Sequence, residues 1–264
     1  MTSLNSVISN LVESETWLFR EYEMLEFLSE ELQNFDVFID LGCNIGVFSI
    51  VANELMHSAE IICVEANPKL IENLKKTIHS ADNNNNNIRI LQKAISDERG
   101  IITLFEYRNS GIGNIFGNND VIGSFSVPSC FLDDIFPKGK KTIIKMDIEG
   151  AEYRALKSSP MTLQSQDVKF LIELHAWGDA ERQKYPIHVA GMMWRNGFKI
   201  KKMGRRWFFG SHYIFVKAPF SERSLAFLTC FPLLLCKYIV WRMFPVQAPR
   251  IEDFLRRIKR NEVA

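Results

Sequence analysis

The sequence predicts an α/β fold built on a mostly parallel, doubly wound sheet, and three observations predict it. Short apolar runs of strand length alternate with stretches of helical period along most of the chain. The first run, Val37–Leu41, carries Asp40 near its end and turns through glycines at 42 and 46 straight into a helical period. A later run, Thr142–Asp147, exits into a dense set of acids around Gly150. In open sheets of this kind a ligand binds outside the carboxyl ends of the strands, so both exits are candidate edges of a site.

The elements follow in order. Apolar residues at Leu4, Val7, Ile8, Leu11 and again at Leu18, Tyr22, Leu25, Leu28, Leu32 give residues 4–34 a helical period. Val37–Leu41 is a buried strand and Val47–Leu55 the helix after it. Ile61–Pro68 is a second strand, closed by Asn67-Pro68, and Lys69–Ile78 resumes the helical period. The polar run Ala81–Asn87 is a loop before a third strand, Ile88–Ile95. Gly100–Arg108 alternates as a strand, and Gly111–Gly123 reads as a Gly/Asn-rich loop. Thr142–Asp147 is a fourth buried strand, Ala151–Lys157 a helix, Val168–His175 a fifth strand and Gln183–Asn196 a helix. Phe198–Lys202 and His212–Lys217 form a last pair of strands.

A chain of 264 residues can hold one large domain with a full core, or a domain with appendages. With 47% hydrophobic and 24% charged residues it is neither collagen-like nor disordered as a whole. Five cysteines without a CxxC pair read as reduced thiols, and the N-terminal stretch lacks a basic segment followed by an apolar one. A cytoplasmic location is the expectation. The net charge of +1 hides a split: residues 199–264 carry 14 Lys/Arg against 4 Asp/Glu, a balance of +10, which leaves −9 for residues 1–198. The basic third is suited to an anionic surface.

Gly42 and Gly46 suit a tight strand-to-helix turn whose backbone approaches a ligand. Their spacing is G-x-x-x-G, not the dinucleotide fingerprint. Glu65, 25 positions after Asp40, stands where an acid grips a ribose diol. A carboxylate at Asp40 would repel a pyrophosphate and attract a cationic ligand. Together Asp40 and Glu65 favour an adenosine-bearing cation such as S-adenosylmethionine over NAD. The competing reading makes Asp40 a helix cap and the glycines turn formers only.

In Thr142–Leu156 the strand exits through Lys145, Asp147, Glu149 and Glu152. Three acids so close together call for a positive partner, which Lys145, a sulfonium ligand or a metal would supply. Acids complementing a helix N-terminus explain part of the pattern.

These two stretches resemble the FkbM family of class I S-adenosylmethionine-dependent methyltransferases. The loop motif D-x-G-x-N-x-G-x-x-S is matched by Asp40, Gly42, Asn44, Gly46 and Ser49, and K-x-D-x-E-G-x-E by Lys145, Asp147, Glu149, Gly150 and Glu152. Matching continues through Val64–Pro68, Lys93–Gly100, Val127–Ile135 and Leu171–His175, so that the resemblance covers roughly Val37 to Lys217. It implies a Rossmann-like sheet and O-methylation of a hydroxyl on a sugar, glycan, glycolipid or natural-product acceptor. It also implies that Asp40, Gly42, Asn44 and Gly46 line the amino-acid end of the cofactor. Glu65 would hold its ribose, with Ala66 and Asn67 beside the adenosine and Ala94 and Ile95 near the adenine, while Asp147 stands between cofactor and acceptor.

Methyl transfer from a sulfonium is an in-line displacement in which positioning counts heavily, and an aliphatic hydroxyl gains from a base or metal. Asp147, Glu149 and His175 are the candidate catalytic residues; His175 is the base if a carboxylate, such as neighbouring Glu173, orients it. A structural role for His175 is the alternative. Asp147 and Glu149 are also candidate ligands of Mg²⁺.

The resulting organisation is an N-terminal helical segment over 1–36, a methyltransferase domain over 37–218 and a C-terminal helical tail over 219–264. The apolar tail contains Pro232, Lys237 and Arg242, which argue against an isolated membrane span. Trp241 and the basic Arg256–Arg260 suit residues 221–260 to a membrane surface, at the inner face, against the alternatives of packing on the domain or dimerising. The aromatic-basic run Lys199–Phe209 reads as a solvated hairpin, so nucleic acid is disfavoured as a partner. Two other functions compete: a non-catalytic scaffold acting through its tail, and an NAD-dependent oxidoreductase, which the loop spacing and Asp40 disfavour.

Overall fold

The structure is a computed structural model that describes residues 24–56, 59–81, 87–107, 110–114, 121–175, 186–203 and 211–243. Of the expected elements, residues 4–23 of the first helix, residues 204–209 of the basic run and the tail beyond residue 243 lie outside the described residues.

Seven strands form the main sheet: β1 (Val37–Leu41), β2 (Glu60–Val64), β3 (Asn87–Leu91), β8 (Thr142–Met146), β9 (Val168–Leu174), β10 (Phe198–Lys202) and β11 (Ser211–Lys217). Their order is β10-β11-β9-β8-β1-β2-β3. The five strands from β9 to β3 are parallel, and β10 and β11 close the sheet as antiparallel strands. The chain runs outward from β1 to β3, then returns to the other side of β1 with β8. This reversal puts the topological switch point between β1 and β8, where ligands of such sheets bind.

Strands of a parallel sheet covered on both faces read as continuous apolar runs. β1 and β8 are buried at all five positions. One face packs on α1 (residues 24–31), α2 (Val47–Leu55) and α3 (Pro68–Ala81), through Leu25, Leu28, Phe48, Val51 and Leu74. The other packs on α4 (Glu152–Lys157), α5 (Pro160–Gln164), α6 (Pro186–Arg195) and α7 (Phe220–Met243), through Ala155, Leu163, Val189, Met193 and Leu234.

Two expected elements differ in kind from the structure. The single third strand over 88–95 is two: β3 stops at Leu91, and β4 (Ala94–Ile95) joins a second sheet. That sheet runs β4-β7-β5-β6, with β5 (Gly100–Tyr107), β6 (Ser110–Asn114) and β7 (Val121–Cys130). The run Gly111–Gly123 is therefore strand at both ends rather than a loop. Pairing between β5, β6 and β7 overrides its weak local propensity. The expected helical tail is present: over the described residues it is one helix that continues through Pro232, an exposed position.

α7 docks one face on the domain. Leu234 is fully buried in the main core, with Ala226, Phe227 and Cys230 packed against it, and Trp194 of α6 meets Phe220 and Phe227. Its other side leaves Leu225 and Leu228 exposed, and Phe220, beside Trp194 at the start of the helix, keeps 63% of its surface open. Among the described residues no helix is long and apolar enough to cross a membrane.

Candidate functional site

The exits of β1, β2, β8 and β9 meet at the switch point. Register sets their first contact: Asp40 and Lys145 are neighbours across the β1–β8 pair, so their side chains share a face. Asp40 is fully buried, and Lys145 Nζ lies 3.4 Å from its Oδ1. Its Oδ2 accepts a hydrogen bond from Ser49 Oγ at 2.7 Å, which ties β1 to the first turn of α2. The N-cap of α2 is Gly46, not Asp40. The positive charge facing Asp40 is thus the protein's own. Lys145 also donates to the Gly42 carbonyl at 3.2 Å and lies 3.6 Å from Asp147 Oδ2.

Both loop glycines have a protein cause. Gly42 has φ +73°, and a Cβ there would come 1.9 Å from the Asp147 carbonyl oxygen. Gly46 has φ +86°, and its Cβ would come 2.7 Å from Leu74 Cδ1 on α3. Close packing of the β1 exit against β8 and α3 requires them. Between them Asn44 has a left-handed φ of 52°, which aims its backbone N–H outward at Glu65.

Glu65 braces the loop. Its Oε2 accepts the Asn44 N–H at 2.9 Å and its Oε1 the Asn67 N–H at 2.8 Å. Burial pushes its carboxyl up despite these two bonds. A carboxylate has about four lone-pair sites, so two remain to accept from a diol. Ala66 packs against Ala94 and Val127 in the core of the second sheet, whereas the Ile95 side chain is turned into the main core. Lys69 at the start of α3 bonds Glu106 of β5 at 2.8 Å and fastens the second sheet beside this edge.

On the far side stands a histidine among carboxylates. His175 is buried, and its Nδ1 lies 2.8 Å from Glu152 Oε1. Its Nε2 is 3.7 Å from Asp147 Oδ1, 3.7 Å from Glu149 Oε2 and 3.9 Å from Glu173 Oε1. Glu149 reaches this place because it takes a left-handed φ of 53°, followed by Gly150 at 95°. Such a conformation costs a non-glycine residue about 1–2 kcal/mol.

The charges follow from the crowding. Burial alone would lower His175, but Glu149, Glu152 and Glu173 outweigh it and hold the imidazole well above its usual range. Burial pushes Glu149 up to about 7, and raises Asp147 as well. Glu173 is the exception: burial opposes its ionisation, yet the close approach of His212 at 3.4 Å and the charges of both histidines hold it down at about 2. The acid that orients His175 is therefore Glu152, in the first turn of α4, and not Glu173. Glu173 faces His212, its register partner on antiparallel β11, at 3.4 Å. Neither pairing is visible in sequence order; His212 becomes legible only once β11 is known to lie beside β9.

The structure brings the expected site residues into two adjoining groups: Asp40, Gly42, Asn44, Gly46, Glu65 and Asn67 at the exits of β1 and β2, and Asp147, Glu149 and His175 at the exits of β8 and β9. The three remaining expected residues stand apart: Ala66 and Ala94 border the second sheet, and the Ile95 side chain is turned into the main core. The pair Asp147 and Glu149, expected as Mg²⁺ ligands, shares its pocket with an imidazole nitrogen. That is a mixed donor set rather than the all-oxygen shell Mg²⁺ prefers.

Known proteins share this frame. A family model described as methyltransferase FkbM domain matches residues 40–200. Hexuronic acid methyltransferase AglP of Haloferax volcanii is 27% identical over 173 residues, 62% of this chain and 68% of that protein. A solved structure, methyltransferase FkbM from Methylobacillus flagellatus, aligns with a TM-score of 0.51 and 16% identity over 74% of this chain and 47% of its own. The chain spans about half the length of that structure, and the likeness shows the fold.

Proposed function

Because the chain belongs to the FkbM methyltransferase family, we propose that it moves a methyl group from S-adenosylmethionine to a hydroxyl of a sugar or glycan acceptor. The observation that carries this reading is the adjacency of two differently equipped places at one switch point. One is a groove edged by the Gly42–Gly46 turn and Glu65. The other is the pocket of Asp147, Glu149 and His175.

Glu65 keeps two acceptor sites for the ribose hydroxyls, while the turn and Asp40 edge the amino-acid end. S-adenosylmethionine held there would supply its methyl group to the acceptor oxygen by in-line displacement, with S-adenosylhomocysteine as the leaving group. The hydroxyl proton passes to a carboxylate of the Asp147–Glu149 pair. Glu149, Glu152 and Glu173 hold the His175 imidazole well above its usual range, so it serves this step as a positive charge beside the Asp147–Glu149 pair rather than as the base. A relative named for hexuronic acid supports a sugar-type acceptor. Calorimetry with S-adenosylmethionine and with NAD tests the cofactor: binding of the first alone is expected. Binding of NAD, or of neither, would favour an oxidoreductase or a scaffold.

The same reading gives the exposed Phe220, Leu225 and Leu228 of α7 contact with an anionic membrane surface at the cytoplasmic face. The basic strand at Lys199, Lys201 and Lys202, against which α7 packs, supports it. Sedimentation with anionic vesicles tests this, and a protein that stays entirely in the supernatant would contradict it.

A further inference from the structure

We infer that Asp147, Glu149 and His175 form a binding site for one divalent first-row transition-metal ion on the acceptor side of the groove. The inference rests on the proposed reading only for what the ion would do, not for where it binds.

One oxygen of each carboxylate and one imidazole nitrogen all lie within 4.8 Å of one another. His175 Nε2 stands 3.7 Å from both Asp147 Oδ1 and Glu149 Oε2. Those separations are too long for hydrogen bonds. They match two ligands of a single ion, since bonds of about 2.0–2.2 Å at ordinary angles put ligand atoms roughly 3–4 Å apart.

Two further observations point the same way. Asp147 Oδ1 is itself buried and has no hydrogen-bond partner, although it faces the nitrogen. Beyond the donors, Glu152 holds Nδ1 at 2.8 Å, the carboxylate–histidine arrangement that turns the other nitrogen toward a metal. Glu173, 3.9 Å from Nε2 and held by His212, closes the remaining side. The imidazole nitrogen among carboxylate oxygens suits Mn²⁺, Fe²⁺ or Zn²⁺ better than Mg²⁺. On binding, the ion takes the place of the Nε2 proton, and that proton is released to solvent. An ion there would hold the acceptor hydroxyl and make its proton easier to remove.

The test uses the full chain, stripped with EDTA, desalted and titrated with Mn²⁺ while free Mn²⁺ is followed by electron paramagnetic resonance. One ion per chain is expected, with affinity falling tenfold or more in Glu149→Gln and in Asp147→Asn. In Glu152→Gln, where only the support of the imidazole changes, about 10–100-fold is expected. Circular dichroism confirms that each variant is folded, and His175→Gln replaces any that is not. Absence of saturable binding, or equal affinity in the folded variants, overturns the inference. Parallel calorimetry with S-adenosylmethionine separates the two readings: cofactor binding without Mn²⁺ binding rejects the ion site alone. Mn²⁺ binding without cofactor binding rejects the methyltransferase reading and leaves the ion site standing.

Discussion

His175 and Glu152 form a buried pair: Oε1 of the glutamate lies 2.8 Å from Nδ1 of the imidazole, and each side chain is 3% exposed. The same Oε1 accepts the Gly150 N–H at 3.1 Å, so one carboxylate fixes both the imidazole and the turn that carries Glu149. Glu152→Gln keeps the shape and removes the charge. Turnover is expected to fall about 10–100-fold, the range for loss of a group that orients an imidazole, with KM for the acceptor little changed. Steady-state kinetics on the folded variant checks this split.

Lys145 and Asp40 predict a double-mutant result. Both side chains are almost wholly buried and face each other across β1 and β8. Removing one partner of a buried pair costs about 3–5 kcal/mol, whereas replacing both by apolar groups is often close to neutral. Lys145→Met is expected to destabilise strongly, and Lys145→Met with Asp40→Leu to recover much of the loss. Denaturant unfolding of the single and double variants measures it.

Gly42 and Gly100 both have positive φ but differ in what surrounds them. A methyl at Gly42 meets the Asp147 carbonyl oxygen, which is backbone and cannot swing away; a methyl at Gly100 meets nothing within 4 Å. Gly100→Ala should cost about 1–3 kcal/mol from backbone strain alone. Gly42→Ala should cost clearly more and should also abolish cofactor binding by forcing β1 and β8 apart. Melting temperatures and calorimetry on both variants decide it.

Glu65 gives a pH dependence with two opposite signs. Its carboxyl is raised by burial. A raised carboxyl stabilises the cofactor-free fold below its unfolded pKa, and that contribution is lost as pH rises through the folded value. Cofactor binding needs the ionised form as acceptor, so affinity should fall as pH drops through the same raised value. Glu65→Gln should bind weakly at every pH and lose the dependence. Calorimetry across the acidic range checks both.

Much of the frame was legible because buried parallel strands write themselves as apolar runs. Val37–Leu41 and Val47–Leu55 fall where periodicity puts them, and Thr142–Met146 and Val168–Leu174 each stop one residue short. The second sheet was not legible, because β6 is Gly-rich and it and the start of β7 become strand through pairing with β5. At the candidate site, the acids and glycines stand at the strand ends where the sequence places them, but their partners did not follow from sequence. Asp40 asks for a positive charge, and the chain answers from 105 positions away with Lys145. The glycines suggest a close ligand, yet their nearest obstacles are Asp147 and Leu74. His175 asks for an orienting acid, and the neighbour in sequence, Glu173, is engaged by His212 instead.

The central claim is transfer of a methyl group at the joint of these two places. The most direct measurement is incubation of the protein with methyl-labelled S-adenosylmethionine and a panel of uronic acids and glycans, with the label followed by mass spectrometry. The expected result is label on an acceptor oxygen, absent with Asp147→Ala and with His175→Ala while both stay folded. Labelling that persists at the normal rate in either variant, or label on nitrogen or carbon instead, would contradict the account.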